Sequence, residues 1–224
     1  MIIIYLIIMK KAGDITIVYE DENFLVINKP AFLAVHSGFQ KKDFTLVDWL
    51  NKKYPPSGSV QLLNRIDKET SGIVLVAKNQ GFVHRYNQEL IKNIYKEYIL
   101  LAKKPKKKFT EINIPLKGIY KDKNISQKAL TRIISCKNLK KGVSLFHVSL
   151  ITGRTHQIRR HFKMMGAPVV GDWQYGNIKL NQQFRKEFKL RRQFLHAFKV
   201  GINGFPDIEA PLPDDLQKII DKLS

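Results

Sequence analysis

Short apolar runs rich in β-branched residues alternate along this chain with polar stretches of helical spacing. Residues 15–19 (Ile-Thr-Ile-Val-Tyr) and 24–28 (Phe-Leu-Val-Ile-Asn) have strand character, the second ending at Lys29-Pro30. Residues 45–53 predict a short helix stopped by Pro55-Pro56-Ser57-Gly58. Residues 73–77 (Ile-Val-Leu-Val-Ala) are an unbroken apolar run, as expected of a strand covered on both faces. Helical spacing returns over residues 80–92, with Phe82, Tyr86 and Leu90 on one face. Residues 95–102 again read as strand and lead into a basic loop at 103–108. Residues 129–135 and 143–151 predict a strand pair around the Lys141-Gly142 turn. Helices are expected at 156–165, with Arg159 and Lys163 four apart, and at 181–189; residues 194–202 form a final strand.

Hairpin-like strand pairs with a few short helices argue for an α+β fold around a mostly antiparallel sheet. No internal repeat, low-complexity tract or Gly/Ser-rich linker interrupts residues 14–224, so one domain is expected there. Residues 1–13 stand apart. Residues 1–9 are strongly apolar yet far short of the about 20 residues that span a bilayer. They lack the basic lead and small-residue cleavage pattern of a signal peptide. Met9-Lys10-Lys11 would make a natural start, so we read 1–13 as an N-terminal extension from a mis-assigned start codon, and the protein as cytoplasmic.

Charge changes the picture more than composition does. Lys and Arg number 39 against 19 Asp and Glu, a formal net charge of +20 over 224 residues. Such an excess supplies sequence-independent affinity for polyanions and points to nucleic acid, although a lysine-rich proteome gives the same balance. The lone Cys136 excludes an internal disulfide framework and any multi-Cys metal site.

Three segments are candidates for chemistry. The first runs from Asn64 through Arg65, Asp67 and Glu69 to Gly72, directly before the apolar run at Ile73. A loop feeding a buried strand is held rigid at one end, a good place for a catalytic carboxylate; the plainer alternative is a polar turn with a surface ion pair. The second is Thr152-Gly153-Arg154-Thr155-His156-Gln157-Ile158-Arg159-Arg160-His161. Thr152 or Thr155 can cap a helix whose first turn, flanked by Arg154, His156, Gln157 and Arg159, suits an anion; a basic solvated face is the alternative. The third, residues 166–176, holds three glycines and a proline, which structural turns explain without chemistry. No phosphate-binding Gly-rich motif is present, and no His, Asp and Glu set has metal-ligand spacing.

Taken together these segments resemble the RluA family of RNA pseudouridine synthases. The carrying residues are Asn28-Lys29-Pro30 with Val35-His36-Ser37-Gly38, then Arg65 through Gly72, and Tyr95-Lys96-Glu97-Tyr98. Thr152 through His161, Gly166 through Gly176, Leu195-His196-Ala197 and Ala210-Pro211-Leu212 complete the set. They keep the family's order over roughly residues 14 to 216. Two positions depart from the pattern: Asn64 stands where a His is usual, and Phe32 where Gly follows Lys-Pro-Ala.

The resemblance implies a single catalytic domain with a long, mixed but largely antiparallel sheet flanked by helices and a central cleft; many relatives carry an N-terminal S4-like module, which is expected to be absent here because the catalytic segment begins by about residue 14. It implies catalytic roles for Asp67, Tyr98 and Arg159, with Leu195 as the apolar wall beneath the base. Arg65, Arg154, Thr155, His156 and Gln157 are expected to bind substrate, Arg65 by filling the space left by a flipped base. Turning uridine into its C-glycoside breaks N1–C1′, rotates the uracil, joins C5 to C1′ and releases the C5 proton. One carboxylate serves, by attacking C1′ or by removing a ribose proton. Arg159 is expected to keep Asp67 ionised, and Tyr98 to stack on the base near C5. No cofactor or metal is required for an isomerisation. The expected partner is structured RNA, bound by a monomer without an obligate protein partner. Ribosomal large-subunit (23S) RNA is favoured narrowly over tRNA, and the contrasting reading is a non-catalytic RNA-binding ribosome-assembly factor. Residues 103–108 and the cluster Arg185, Lys186, Lys189, Arg191 and Arg192 are expected phosphate contacts.

Overall fold

A computed structural model describes residues 14–37, 43–54, 60–79, 94–120, 123–202 and 207–224. Its elements begin with β1 (Thr16–Glu20), β2 (Phe24–Lys29), α1 (Leu46–Lys53), β3 (Gln61–Leu62) and β4 (Ser71–Ala77). Next come β5 (Tyr95–Lys103), β6 (Glu111–Asn113), β7 (Leu116–Tyr120), β8 (Lys123–Gln127), β9 (Leu130–Leu139) and β10 (Val143–Leu150). The last are α2 (Gln157–Met164), α3 (Ile178–Phe188), β11 (Leu195–Gly201), β12 (Ile208–Glu209) and α4 (Asp214–Leu223). The fold is α+β, its sheet mixed and mostly antiparallel. The backbone forms two compact units: described residues up to Ile94 with Ala197–Pro213, and Tyr95–His196 with Asp214–Ser224.

In the first unit the strand order is β1-β2-β4-β11, with β3 also on β4 and β12 on β11. β2 pairs antiparallel with both β1 and β4. All seven residues of β4 are buried, as an unbroken apolar run demands of a strand covered on both faces. Phe24, Val26, Ile73, Leu75 and Val200 form one core cluster. α1 begins where Thr45 and Asp48 cap each other: the Thr45 hydroxyl accepts from the Asp48 amide at 3.2 Å, and the Asp48 carboxylate accepts from the Thr45 amide at 2.9 Å. Its Leu46 and Leu50 are buried.

In the second unit the order is β5-β10-β9-β6, β10 pairing antiparallel with β5 and β9. The turn between β9 and β10 falls at Lys140–Gly142, with Lys141 at φ 62°. Phe146 packs edge-on against Phe162 of α2 at 4.9 Å, and Phe109 stacks against Phe146.

Several boundaries move. α3 starts at Ile178, not 181, because Asn177 caps it, its side-chain oxygen accepting from the Leu180 amide at 3.0 Å. β11 is not the final strand, since β12 and then α4 follow it. α4 is amphipathic, burying Leu216, Ile219 and Leu223, a three-and-four spacing that the reading above passed over. β6 and the β7–β8 hairpin escaped as well, being short and free of apolar runs. The extension at 1–13, the stop at 55–58 and the helix at 80–92 lie outside the described residues. No helix among the described residues is long and apolar enough to cross a membrane.

Candidate active site

Asp67 sits half-buried in the turn before β4, closed by the Thr70 amide donating to the Asp67 carbonyl at 3.1 Å. Three devices fix the backbone of this turn. At its entry Asn64 acts as a side-chain rung on β4, its Oδ1 accepting from the Leu75 amide at 2.7 Å and its Nδ2 donating to the Ile73 carbonyl at 3.4 Å. The residue that departs from the family pattern is therefore a brace. At the exit Gly72 has φ 109°, and a Cβ there would lie 2.2 Å from the Ala197 carbonyl oxygen, so only glycine fits. Beneath it Lys29 is fully buried and uses its three ammonium donors on the carbonyls of Pro30 (2.8 Å), Leu33 (2.8 Å) and Lys68 (3.3 Å). That cation ties the turn at 30–33 to the Asp67 turn. Phe32 within it holds φ 69° with 53% of its surface exposed, a left-handed backbone that the family's glycine adopts without strain. Arg65 is exposed beside the buried Ile66.

In the second unit Tyr98 lies on β5 opposite Val148, 6% exposed, and Leu195 opens β11 at 4%. Lys96 is two residues from Tyr98, and its burial pushes the amine below its ordinary range. Its Nζ is 3.8 Å from where a Gly153 Cβ would stand, so the group that approaches this glycine is an ammonium. Tyr95 donates its hydroxyl to Glu97, whose other oxygen meets His147 Nε2 at 2.6 Å.

Arg159 is 8% exposed on α2 and is clamped by Asp172: Nε donates to Oδ2 at 2.8 Å and Nη2 to Oδ1 at 3.0 Å. Nη2 also meets Gln174 Oε1 at 3.2 Å, and the guanidinium lies 5.0 Å from the Tyr175 ring centre. Asp172 Oδ1 accepts the amides of Gln174 (2.9 Å) and Tyr175 (3.0 Å) as well. Burial raises its pKa, but these hydrogen bonds, Arg159's foremost, hold the carboxyl below its ordinary range. Asn181 braces the same loop, donating to the Asp172 carbonyl at 2.7 Å and accepting the Gly171 amide at 2.8 Å. Residues 166–176 are thus more than structural turns: they carry the carboxylate that orients Arg159. The missed signal was an Asp next to a glycine that must pack tightly, since a Cβ on Gly171 would lie 2.0 Å from the Arg192 carbonyl oxygen.

The start of α2 also differs from expectation. Its cap is His156, left-handed at φ 53° and without a side-chain capping bond, not Thr152 or Thr155. Thr152 is spent elsewhere, accepting from the Leu130 amide (2.9 Å) and donating to Gln157 Oε1 (2.7 Å). Gln157 is 2% exposed and fully engaged, donating to the Leu130 carbonyl and Thr131 Oγ1 and accepting the Arg154 amide at 3.0 Å. It works as a brace for the exposed Arg154, whose Nε donates to the Lys128 carbonyl at 3.1 Å. Thr155 is exposed, and His156 Nδ1 meets the Tyr175 hydroxyl at 3.2 Å. His161 is fully buried between Thr131 Oγ1 and the Ile114 carbonyl, and its burial lowers its pKa.

The sequence model of the family described as RNA pseudouridylate synthase matches residues 23–164, from β2 through α2. The chain belongs to that family. As an RNA pseudouridine synthase it is 31% identical over 227 residues to ribosomal large subunit pseudouridine synthase C of Escherichia coli O6:H1, covering 92% of this chain and 69% of the relative. To ribosomal large subunit pseudouridine synthase D of Buchnera aphidicola subsp. Acyrthosiphon pisum it is 32% identical over 235 residues, covering 92% and 73%. The solved structure of human RNA pseudouridylate synthase domain containing 4 shares the fold, with a TM-score of 0.73 at 23% identity over 92% of each chain.

For a pseudouridine synthase the basic surface is partly structural. Arg192, expected on RNA, is 2% exposed and clamps Asp215 at 2.7 and 3.0 Å, fastening α4. Arg185, Lys186, Lys189 and Arg191 stay exposed, as do Lys103, Lys104, Lys106, Lys107 and Lys108. Among the described residues no group of three or more His, Cys, Asp and Glu is placed to hold a metal ion.

Proposed function

We propose that this pseudouridine synthase isomerises uridines in ribosomal large-subunit RNA, with Asp67 as the carboxylate that acts at the ribose. The observation that carries the RNA assignment is the likeness to relatives named as ribosomal large subunit pseudouridine synthases, which extends over 92% of the chain. What supports Asp67 is its place in a turn whose backbone is braced by Asn64, Gly72 and Lys29, so that the carboxylate is carried on a fixed support. Either route open to it, attack on C1′ or removal of a ribose proton, requires one ionised carboxylate at a fixed position. Tyr98 is assigned the base-stacking face and the neighbourhood of C5, Leu195 the apolar wall, and Arg159 the fixed cation. Arg65 is assigned the space vacated by the flipped nucleotide, and Arg154, Thr155 and His156 the flanking RNA. Gln157 enters through the backbone of Arg154, which it positions.

The test is Asp67→Asn, assayed by tritium release from C5-labelled uridine in a large-subunit RNA transcript. Turnover is expected to fall by roughly a thousandfold or more while RNA binding stays within several-fold. Normal turnover in this variant rejects the mechanism, and activity confined to tRNA rejects the substrate.

A further inference from the structure

Three lysines from three different elements of the second unit line one pocket of about 460 Å³: Lys103 at the end of β5, Lys163 in the last turn of α2 and Lys179 in the first turn of α3. No Asp or Glu is among the lining residues. The backbone at each lysine is anchored. The Lys103 amide donates to the Pro168 carbonyl at 3.0 Å, the Gly166 amide returns to the Lys163 carbonyl at 3.1 Å, and Asn177 caps the helix that carries Lys179. By contrast Lys141 of this unit meets a carboxylate, that of Glu187, at 2.6 Å. Here three lysines line one concave site with no carboxylate among its lining residues, and the positive end of α3's dipole adds to the same sign. Such a site is relieved by an anion, and lysine suits phosphate as a compact point charge.

We propose that this pocket seats a backbone phosphate of the substrate RNA, as a docking site additional to the residues that handle the target uridine. The inference rests on the proposed function and deepens it. A phosphodiester strand fits better than a free phosphate because the lysine run at 103–108 continues from the pocket's rim. Ile178, 62% exposed on the lining, offers an apolar surface to a ribose. α2 carries Arg159 and Lys163 four residues apart, a rise of about 6 Å, so one rigid helix sets the spacing between the site's cation and the pocket.

The test is the triple variant K103A/K163A/K179A beside a control that removes three exposed lysines elsewhere, K52A/K137A/K222A. Both are assayed on a large-subunit RNA transcript over a range of salt concentrations. In the pocket variant KM is expected to rise roughly tenfold with kcat at saturating RNA unchanged, and the log–log salt slope of binding to become shallower by about 2. The charge-retaining triple Lys→Arg should stay near wild type. Inorganic phosphate at millimolar concentration should weaken RNA binding in wild type more than in the pocket variant. A KM and salt slope equal to those of the control overturn the pocket. Absence of pseudouridine formation by the wild type rejects the proposed function instead, a separate outcome that the same assay reads.

Discussion

The turn that carries Asp67 and the helix that carries Arg159 are built by opposite means. Around Asp67 what is held is main chain: carbonyls gathered by the buried Lys29 ammonium, a glycine seated against the backbone of Ala197, and β4 backbone engaged by the Asn64 side chain. Around Arg159 what is held is the side chain itself, with Asp172, Gln174 and Tyr175 enclosing the guanidinium. On the proposed reading, a carboxylate that meets a ribose gains from a scaffold that fixes the backbone carrying it. A guanidinium that must keep its charge in a buried setting gains from a partner that makes burial tolerable.

The comparison breaks most readily at Asp172. Asp172→Ala strands a buried guanidinium and should cost about 3–5 kcal/mol of stability, read by chemical denaturation, together with most of the turnover. The same pair has an acid signature. Because the folded carboxyl titrates below its ordinary value of 3.8, its contribution is fully present above that pH and is lost as pH falls through the lower folded value. In the first unit the matching change is Lys29→Met, which keeps the volume and leaves carbonyls without donors. It should cost about 2–3 kcal/mol in the same denaturation assay and lower turnover by loosening the Asp67 turn. Equal losses of turnover without loss of stability in both variants would show that the two regions are not supported differently. The smallest effect is expected at Phe32→Gly, which relieves a left-handed backbone at an exposed side chain and should stabilise by about 0.5–1 kcal/mol, seen as a small rise in Tm.

Sequence made the main-chain scaffold easier to read than the side-chain one. The apolar run at 73–77 marks β4, and a polar loop feeding such a strand marks Asp67 as a candidate by itself. Residues 45–53 read as a helix from their spacing, and the structure adds the Thr45–Asp48 cap at its start. The Arg159 environment was only half legible, because its partner lies 13 residues away on a glycine-rich loop and pairing across such a loop leaves no periodic trace. Gln157 read as a ligand for the same reason, since nothing in a motif says that its amide is consumed by Leu130 and Thr131. Arg192 looked like surface charge until Asp215 came to it from a helix whose spacing had been overlooked.

The close seating of Gly72 against Ala197 has a consequence for how the protein is made. The first unit is assembled from two stretches of chain, and the strand that packs over the exit of the Asp67 turn is translated about 125 residues after Gly72. At ordinary elongation rates that neighbour arrives roughly 6–25 s after Gly72. Through that interval the nascent chain carries every element of the Asp67 turn except the backbone that locks it, so this unit cannot set its turn until β11 has been made.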